Sequence, residues 1–317
     1  MHTNSISGRK MITDNQIKIE TDNIVLADNT YIMASESDIK FVDLFCGMGS
    51  FHYSFKKLGF KCVMASDIYK PAKLNYKENY GMDVLGDICD IDPSTIEPYD
   101  ILCAGFPCQP FSQAGKHKGF EDSRGTMFGQ VMRFVKTNEP KVVVLENVQA
   151  LLSHDKGRCF ERIRSELIEE GYEVVHKVLK CSDYGIPQMR KRLFIVGFKN
   201  ADVVDLDGFF NITEYEQTTT MSEYLGKNFE KETAYTIRCG GKMSPIDDRH
   251  NWDGYWVDGE EYRLTIEDGL KLQGFDEYNF IGKQNEKWKM LGNTIPIVFT
   301  KIVGEQIIKH TSIQSDM

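Results

Sequence analysis

Lys141-Val142-Val143-Val144-Leu145 is the stretch that leaves this chain the fewest ways to fold. Consecutive aliphatic side chains on a strand point alternately to its two faces, so both faces need cover, and that is the habit of parallel sheets flanked by helices. The run closes directly on Glu146-Asn147-Val148. A carboxylate therefore stands at the C-terminal end of a buried strand, the edge where open α/β sheets hold their ligands.

The flanking sequence supplies the rest of such a sheet. Phe41 to Phe45 reads as a strand, Cys46-Gly47-Met48-Gly49-Ser50 as a glycine turn, and Phe51 to Leu58 as a helix stopped by Gly59. A second strand runs from Lys61 to Ser66 and ends in Asp67, followed by a helix from about Pro71 to Asn79. A third, short strand is expected before Gly86-Asp87-Ile88 and a fourth over Asp100 to Ala104. Helical spacing recurs over Thr126 to Thr137 and Phe160 to Glu170, and strands over Tyr172 to Leu179 and Leu193 to Phe198. The alternation predicts an α/β fold with a doubly wound, mostly parallel core.

Residues 1–38 carry no apolar period and read as an N-terminal extension, leaving 39–199 as the main α/β domain. From 200 to 262 the text turns short, mixed and turn-rich, with Trp252, Tyr255 and Trp256 as isolated aromatics, and reads as a separate small domain, mostly β or irregular. Helical patterning resumes over Thr265 to Leu272. A last helix, from near Thr294-Ile295-Pro296 to about Lys309, carries Ile295, Val298, Phe299, Ile302, Val303 and Ile307, an apolar set that requires a core to cover. Residues 263–317 would thus return to the main domain.

Composition limits the partners. With 317 residues and 41% hydrophobic content the chain needs no staples, and its eight cysteines show neither a Cys-x-x-Cys pair nor a disulfide framework. A reducing compartment and a metal-free site are expected, and with no apolar signal core and no long apolar run, a soluble protein. The formal charge of −9 argues against a nucleic-acid partner, although Lys116-His117-Lys118, Arg124 and Arg190-Lys191-Arg192 are local basic clusters.

Several residue groups could carry chemistry. Cys108 lies between Pro107 and Pro110, which fix φ and remove backbone donors, so the thiol sits on a stiffened loop rather than in a helix or central strand. The long Gly-, Ser- and charge-rich stretch to Gly125 has the character of a functional loop. The glycine turn at 46–50 with Asp67 after the next strand suits a nucleotide-type ligand, but His52 occupies the third glycine's place of a dinucleotide fingerprint. Taken singly, each has a plain structural alternative: a packing turn, a buried cysteine, a strand-end Glu146, solvated Arg190 and Arg192, a helix-capping Asn293, a mini-core of aromatics.

The joint order is more specific. Phe-x-Asp-Leu-Phe-x-Gly-x-Gly at 41–49, Pro-Cys-Gln at 107–109, Glu-Asn-Val at 146–148, Gln188-x-Arg190-x-Arg192, Arg263-Leu-Thr with Leu272-Gln-Gly-Phe275, and Leu291-Gly-Asn293-Thr resemble the motif series of cytosine-5 DNA methyltransferases of bacterial restriction-modification type. The resemblance spans residues 40 to 310. It implies an S-adenosylmethionine-dependent methyltransferase fold with a seven-stranded, mostly parallel sheet, a small target-recognition domain at 200–262, and double-stranded DNA as the partner of a monomeric cytoplasmic enzyme.

By that resemblance Cys108 is the nucleophile for a flipped-out cytosine, Glu146 holds its ring nitrogen and amine, Arg192 binds its carbonyl, and Arg190 lies near the same site. Phe45, Gly47, Met48, Gly49, Asp67, Ile68, Asp87, Ile88, Pro107 and Asn293 would bind the cofactor. Ser112, Lys116 and Arg124 would contact DNA from the 111–125 loop, and Arg238, Lys242 and Arg249, with His250 and Asn251, from the recognition domain. Two other readings stay open: a transfer-RNA cytosine methyltransferase, whose Cys-Phe-Thr signature is missing here, and a catalytically inactive DNA-binding protein.

Overall fold

Six strands form one sheet whose order, β2-β1-β3-β4-β6-β5, follows from where the chain can bury two-faced apolar strands. They are β1 (Lys40–Leu44), β2 (Lys61–Ser66), β3 (Ile101–Ala104), β4 (Val142–Asn147), β5 (Tyr172–Lys180) and β6 (Lys191–Lys199). This computed structural model describes residues 39–107, 127–199, 206, 208–213, 219–240 and 242–311, all within one compact unit, Met33–Met317. β2, β1, β3 and β4 pair in parallel, while β6 runs antiparallel to both β4 and β5. Every residue of β3 and β4 is buried, as the aliphatic run at 142–145 requires.

The expected third strand before Gly86 is the one element that shrinks. A single parallel bridge, Ser66 to Leu85, marks its place beside β2, with Leu85 N–H donating to Ala65 O at 2.9 Å and Asp67 N–H to Leu85 O at 3.3 Å. Too few residues lie between Gly81, left-handed at the end of α2, and the Asp87 turn to continue the ladder, so the seven-stranded expectation becomes six strands and a bridge among the described residues.

Helices cover both faces. α1 (Ser50–Lys57), α2 (Lys70–Tyr80), α3 (Met127–Asn138) and α4 (Arg158–Glu169) follow the expected positions closely. Beyond the sheet lie α5 (Met221–Leu225), the hairpin of β7 (Gly254–Val257) and β8 (Glu260–Arg263), then α6 (Ile266–Leu272), α7 (Gln284–Asn293) and α8 (Ile297–His310). α8 finds its core against α1: Ser54 Oγ meets Thr300 Oγ1 at 2.6 Å, and a Cβ on Gly304 would lie 2.5 Å from Leu58 Cδ1. A side chain there would push the helices apart.

The aromatics of the 200–262 stretch do not keep a core to themselves. Trp252 and Tyr255 are buried in a cluster shared with Leu272, Phe275, Trp288 and Leu291 of the following segment, whereas Trp256 is exposed. Among the described residues no helix is long and apolar enough to cross a membrane.

Candidate active site

The carboxyl ends of β1, β2, β3 and β4 open into a cavity of about 640 Å³, within the range of small-molecule sites. Its wall contains Phe45, Gly47 and Met48 after β1, Asp67 and Ile68 after β2, Asp87 and Ile88, Phe106 and Pro107 after β3, Glu146 and Asn147 on β4, Arg192 on β6, and Asn293. Distant stretches of sequence thus meet at one sheet edge, as the parallel topology dictates.

The glycine turn is shaped by aromatic neighbours. A Cβ on Gly49 would lie 2.4 Å from Tyr80 Cε2 and 2.8 Å from Tyr76 Cε2, so only glycine allows α1 to start there. Tyr80 Oη donates to Met48 O and Gly49 O, each at 3.0 Å, and Tyr278 Oη to Met48 O at 3.1 Å. His52, in the position that spoils the dinucleotide fingerprint, stacks on Tyr80 with ring centroids 4.2 Å apart and pairs with Tyr76 Oη at 2.8 Å. Burial pushes its pKa down to about 4, so it serves here as a neutral packing group.

These residues suit S-adenosylmethionine. Asp67 takes the Gly47 N–H on Oδ2 at 2.9 Å and the Tyr69 N–H on Oδ1 at 2.7 Å, which fixes the carboxylate and leaves a lone pair on each oxygen for ribose hydroxyls. Ile68 is 76% exposed beside it, an apolar platform for a flat base. Phe45 is held at φ 57°, a left-handed conformation costing a non-glycine residue about 1–2 kcal/mol, and lines the same wall. Asp87 Oδ1 accepts the Cys89 N–H at 2.9 Å and so turns the chain that presents Ile88.

Asp43, to which the sequence assigned no role, is a further polar residue of the cavity. It lines the cavity, is buried, and its Oδ2 has no hydrogen-bond partner among the described residues. Burial first, then the Asp67 charge, hold its carboxyl well above the ordinary range, with the His52 backbone N–H opposing. The folded chain therefore keeps a proton that the unfolded chain releases. Stability from this group is complete below the unfolded carboxylate range, near pH 4, and is lost as pH rises through the folded value. Asp43→Asn should accordingly melt roughly 2–4 °C above the wild type at pH 8 without ligand, with the two curves converging near pH 4. A thermal-shift series across pH checks this; parallel curves would rule it out.

Glu146 and Arg192 form the polar end of the cavity. Arg192 Nε stands 2.8 Å from Glu146 Oε1, both side chains nearly buried. Burial raises the Glu146 carboxyl above its usual value although Arg192, and to a lesser degree Arg190, pull it down. Desolvation outweighs the ion pair, so this carboxyl holds a proton more readily than a surface glutamate does. Asn147 Nδ2 donates to Phe106 O at 3.0 Å, tying the loop after β3 to the end of β4. Pro107, at the cavity wall, is the last described residue before Cys108; Cys108, Ser112, Lys116 and Arg124 lie outside the described residues.

Arg190, expected near the same site, is close enough to act on Glu146 but does not face the cavity. Its guanidinium is fully buried and points to backbone carbonyls: Ile237 at 3.0 Å, Gly292 at 3.0 Å and Thr294 at 2.6 Å. Burial lowers its pKa to about 9, which still leaves it charged at neutral pH. It joins β6 to the segments that carry Ile237 and Asn293, and it is not part of the cavity wall. Arg190 precedes β6 and Arg192 lies within it, and although the two look interchangeable in sequence, distant segments supply them with different partners.

Asn293 does reach the wall, where its Oδ1 accepts from Cys239 Sγ at 2.8 Å. Arg238, Lys242 and Arg249 are exposed, and Lys242 Nζ sits 4.5 Å from the Trp288 ring centroid. Asn251 is buried, donating to Ile246 O and Gly254 O, and His250 is turned onto Asp248, so these two are occupied within the fold. Lys289, Thr294 and Ile295, which the sequence reading left out, also line the cavity. Only their nearness to the Leu291-Gly-Asn293-Thr motif pointed to them.

A mostly parallel sheet with a glycine turn after its first strand, an acid after its second and a polar cleft over its carboxyl ends defines a nucleoside-cofactor methyltransferase architecture. Two solved structures share it: the S. pombe Dnmt2 methyltransferase (TM-score 0.67, 18% identity, covering 86% of this chain and 99% of that one) and the Entamoeba histolytica methyltransferase EhMeth (TM-score 0.65, 16% identity, 86% and 98%). At such identities they speak for the fold alone. The chain belongs to the C-5 cytosine-specific DNA methylase family, whose model matches residues 39–255. It is similar to the type II methyltransferases M.MspI of Moraxella sp (41% identical, 92% of this chain and 77% of that protein) and M.HhaI of Haemophilus parahaemolyticus (33%, 85% and 94%). It is therefore an S-adenosylmethionine-dependent enzyme that methylates carbon 5 of cytosine in DNA.

Proposed function

We propose that the enzyme methylates one cytosine within a short duplex sequence, as the modification partner of a restriction system or as an independent modification enzyme, through a covalent adduct with Cys108. The observation that carries this reading is the buried Glu146–Arg192 pair, 2.8 Å apart, in the same cavity as the Asp67 turn. A polar clamp for one heterocycle and a nucleoside site share one chamber.

Carbon 5 of cytosine is a weak nucleophile until the ring becomes electron-rich. The Cys108 thiolate adds to carbon 6, and Glu146 protonates nitrogen 3 as charge develops there while accepting from the exocyclic amine. Arg192 steadies Glu146 and donates to the base carbonyl. Bound in the cavity, S-adenosylmethionine supplies an electrophilic methyl group for carbon 5; loss of the carbon 5 proton then expels the thiolate. Phe45, Ile68 and Ile88 hold the adenine, Asp67 the ribose, and Gly47 lets the backbone approach the methionine portion. Asp87, Pro107 and Asn293 complete the cofactor site.

A stacked base hides both ring faces, so the cytosine is flipped out of the duplex at a cost of a few kcal/mol. Ser112, Lys116 and Arg124 would hold the opened duplex, and residues 200–262 would act as the recognition domain through Arg238, Lys242 and Arg249. The protein would act as a monomer in the cytoplasm. Bisulfite sequencing of DNA from cells expressing the protein is expected to show one methylated cytosine in one recurring motif. Methyl label in transfer RNA and none in duplex DNA would overturn the reading.

A further inference from the structure

The described residues contain six non-glycine residues at positive φ, and only Phe45 and Met243 among them are apolar. Phe45 forms part of the cofactor wall. Met243, at φ 71°, is 69% exposed. Its strain therefore gains no burial of its own side chain, unlike an ordinary turn, where glycine or asparagine would take this conformation at little cost.

Its surroundings are built to hold that strained conformation. The Met243 N–H donates to both oxygens of Asp253, at 3.1 and 3.3 Å, and Asp253 is fully buried. Arg263 Nη1 lies 3.4 Å from the same carboxylate and donates to Ser244 O at 2.7 Å, so one partly buried ion pair grips the chain on both sides of the Met243 side chain. On the other flank, Trp252 Nε1 donates to Gly240 O at 2.8 Å, and Gly292 lies so close to Arg238 and Cys239 that a Cβ there would be 2.4 Å from their backbone. Cys239 in turn touches Asn293 on the cavity wall. The backbone at Met243 and Ser244 is thus held by Asp253 and Arg263, and Gly240 and Cys239 are held by Trp252 and by Asn293 at the rim of the reaction chamber. Arg238, Lys242 and Arg249 are exposed along the same stretch, where they suit phosphates.

We propose that Met243 is a specificity-determining residue that makes apolar contact with a base of the target duplex beside the flipped cytosine. This rests on the DNA-methylation reading of the site. A mobile loop would lose backbone freedom on binding, whereas a backbone fixed in advance loses less, and an unbranched thioether side chain adapts well to a base face or a thymine methyl.

The test uses the full-length chain, its cofactor product S-adenosylhomocysteine, and two duplexes: one with the sequence found by bisulfite mapping and one shuffled. Met243→Gly is expected to bind the mapped duplex about tenfold more weakly, as expected for one lost base contact, with the shuffled duplex unchanged because phosphate contacts remain. Its melting temperature should equal or exceed that of the wild type, since glycine adopts φ 71° freely. Met243→Leu, which keeps an apolar side chain, should stay within about twofold of wild type on both duplexes. Met243→Gly retaining wild-type affinity for the mapped duplex would overturn the proposal. So would equal losses on both duplexes together with a lower melting temperature, which would mark a structural role. Absence of any methylated duplex with the wild type would instead remove the reading beneath it.

Discussion

Cys108→Ser is expected to abolish methyl transfer, lowering turnover by at least about 10⁴-fold, because the serine hydroxyl neither ionises near neutral pH nor attacks carbon 6 at a useful rate. Cofactor binding should survive, since the residues that suit it, Asp67, Ile68, Phe45 and Asp43, come from other segments of the cavity wall. The discriminating readout is the adduct. With duplex DNA carrying 5-fluorocytosine at the target, carbon 5 has no proton to lose, so the wild-type thiolate stays bonded to carbon 6 and the complex persists in denaturing gels. Cys108→Ser should give no such band while still binding the duplex. A variant that methylates DNA at a rate near the wild type would sink the assignment.

Glu146→Gln should lower the single-turnover rate about 10³-fold, in the range for loss of a positioned proton donor, with cofactor affinity little changed. The amide can still hydrogen-bond the base but cannot deliver a proton to nitrogen 3. Stability should move little. Burial already raises the Glu146 carboxyl despite the Arg192 pairing, so the charged form contributes no large net stabilisation that the amide would forfeit. A melting temperature within a few degrees of wild type, together with the lost rate, separates chemistry from folding. Turnover within tenfold of the wild type would remove Glu146 from the proton transfer.

Both assignments were proposed from the sequence alone, and Met243 was not among them. The apolar run at 142–145 placed Glu146 at a strand end because backbone period and burial are local properties of the sequence. Asp67 and the turn around Gly47 and Gly49 followed for the same reason. Arg190 and Arg192 show the limit. Two residues apart, they face a set of three carbonyls and a carboxylate respectively, and which partners they meet depends on chain segments about 50–100 residues away.

The third strand failed similarly. Its apolar residues permit pairing, but between the left-handed Gly81 that ends α2 and Asp87 only one bridge, Ser66 to Leu85, forms. Asn251 looked like a base reader because it is polar in a polar stretch, yet the fold uses its amide to hold Ile246 and Gly254.

The sequence by itself determined the α/β alternation, the order of the motifs, the family they belong to and the placing of one thiol, Cys108, between two prolines. These depend on residue type, period and spacing, which the chain carries locally. Only the tertiary structure decided that Asp43 has an oxygen without a partner among the described residues, that Arg190 is a buried tie and that Met243 is braced outward in a left-handed turn. Each of these is a property of surroundings assembled from distant segments, and burial, pKa and strain exist only once those segments meet.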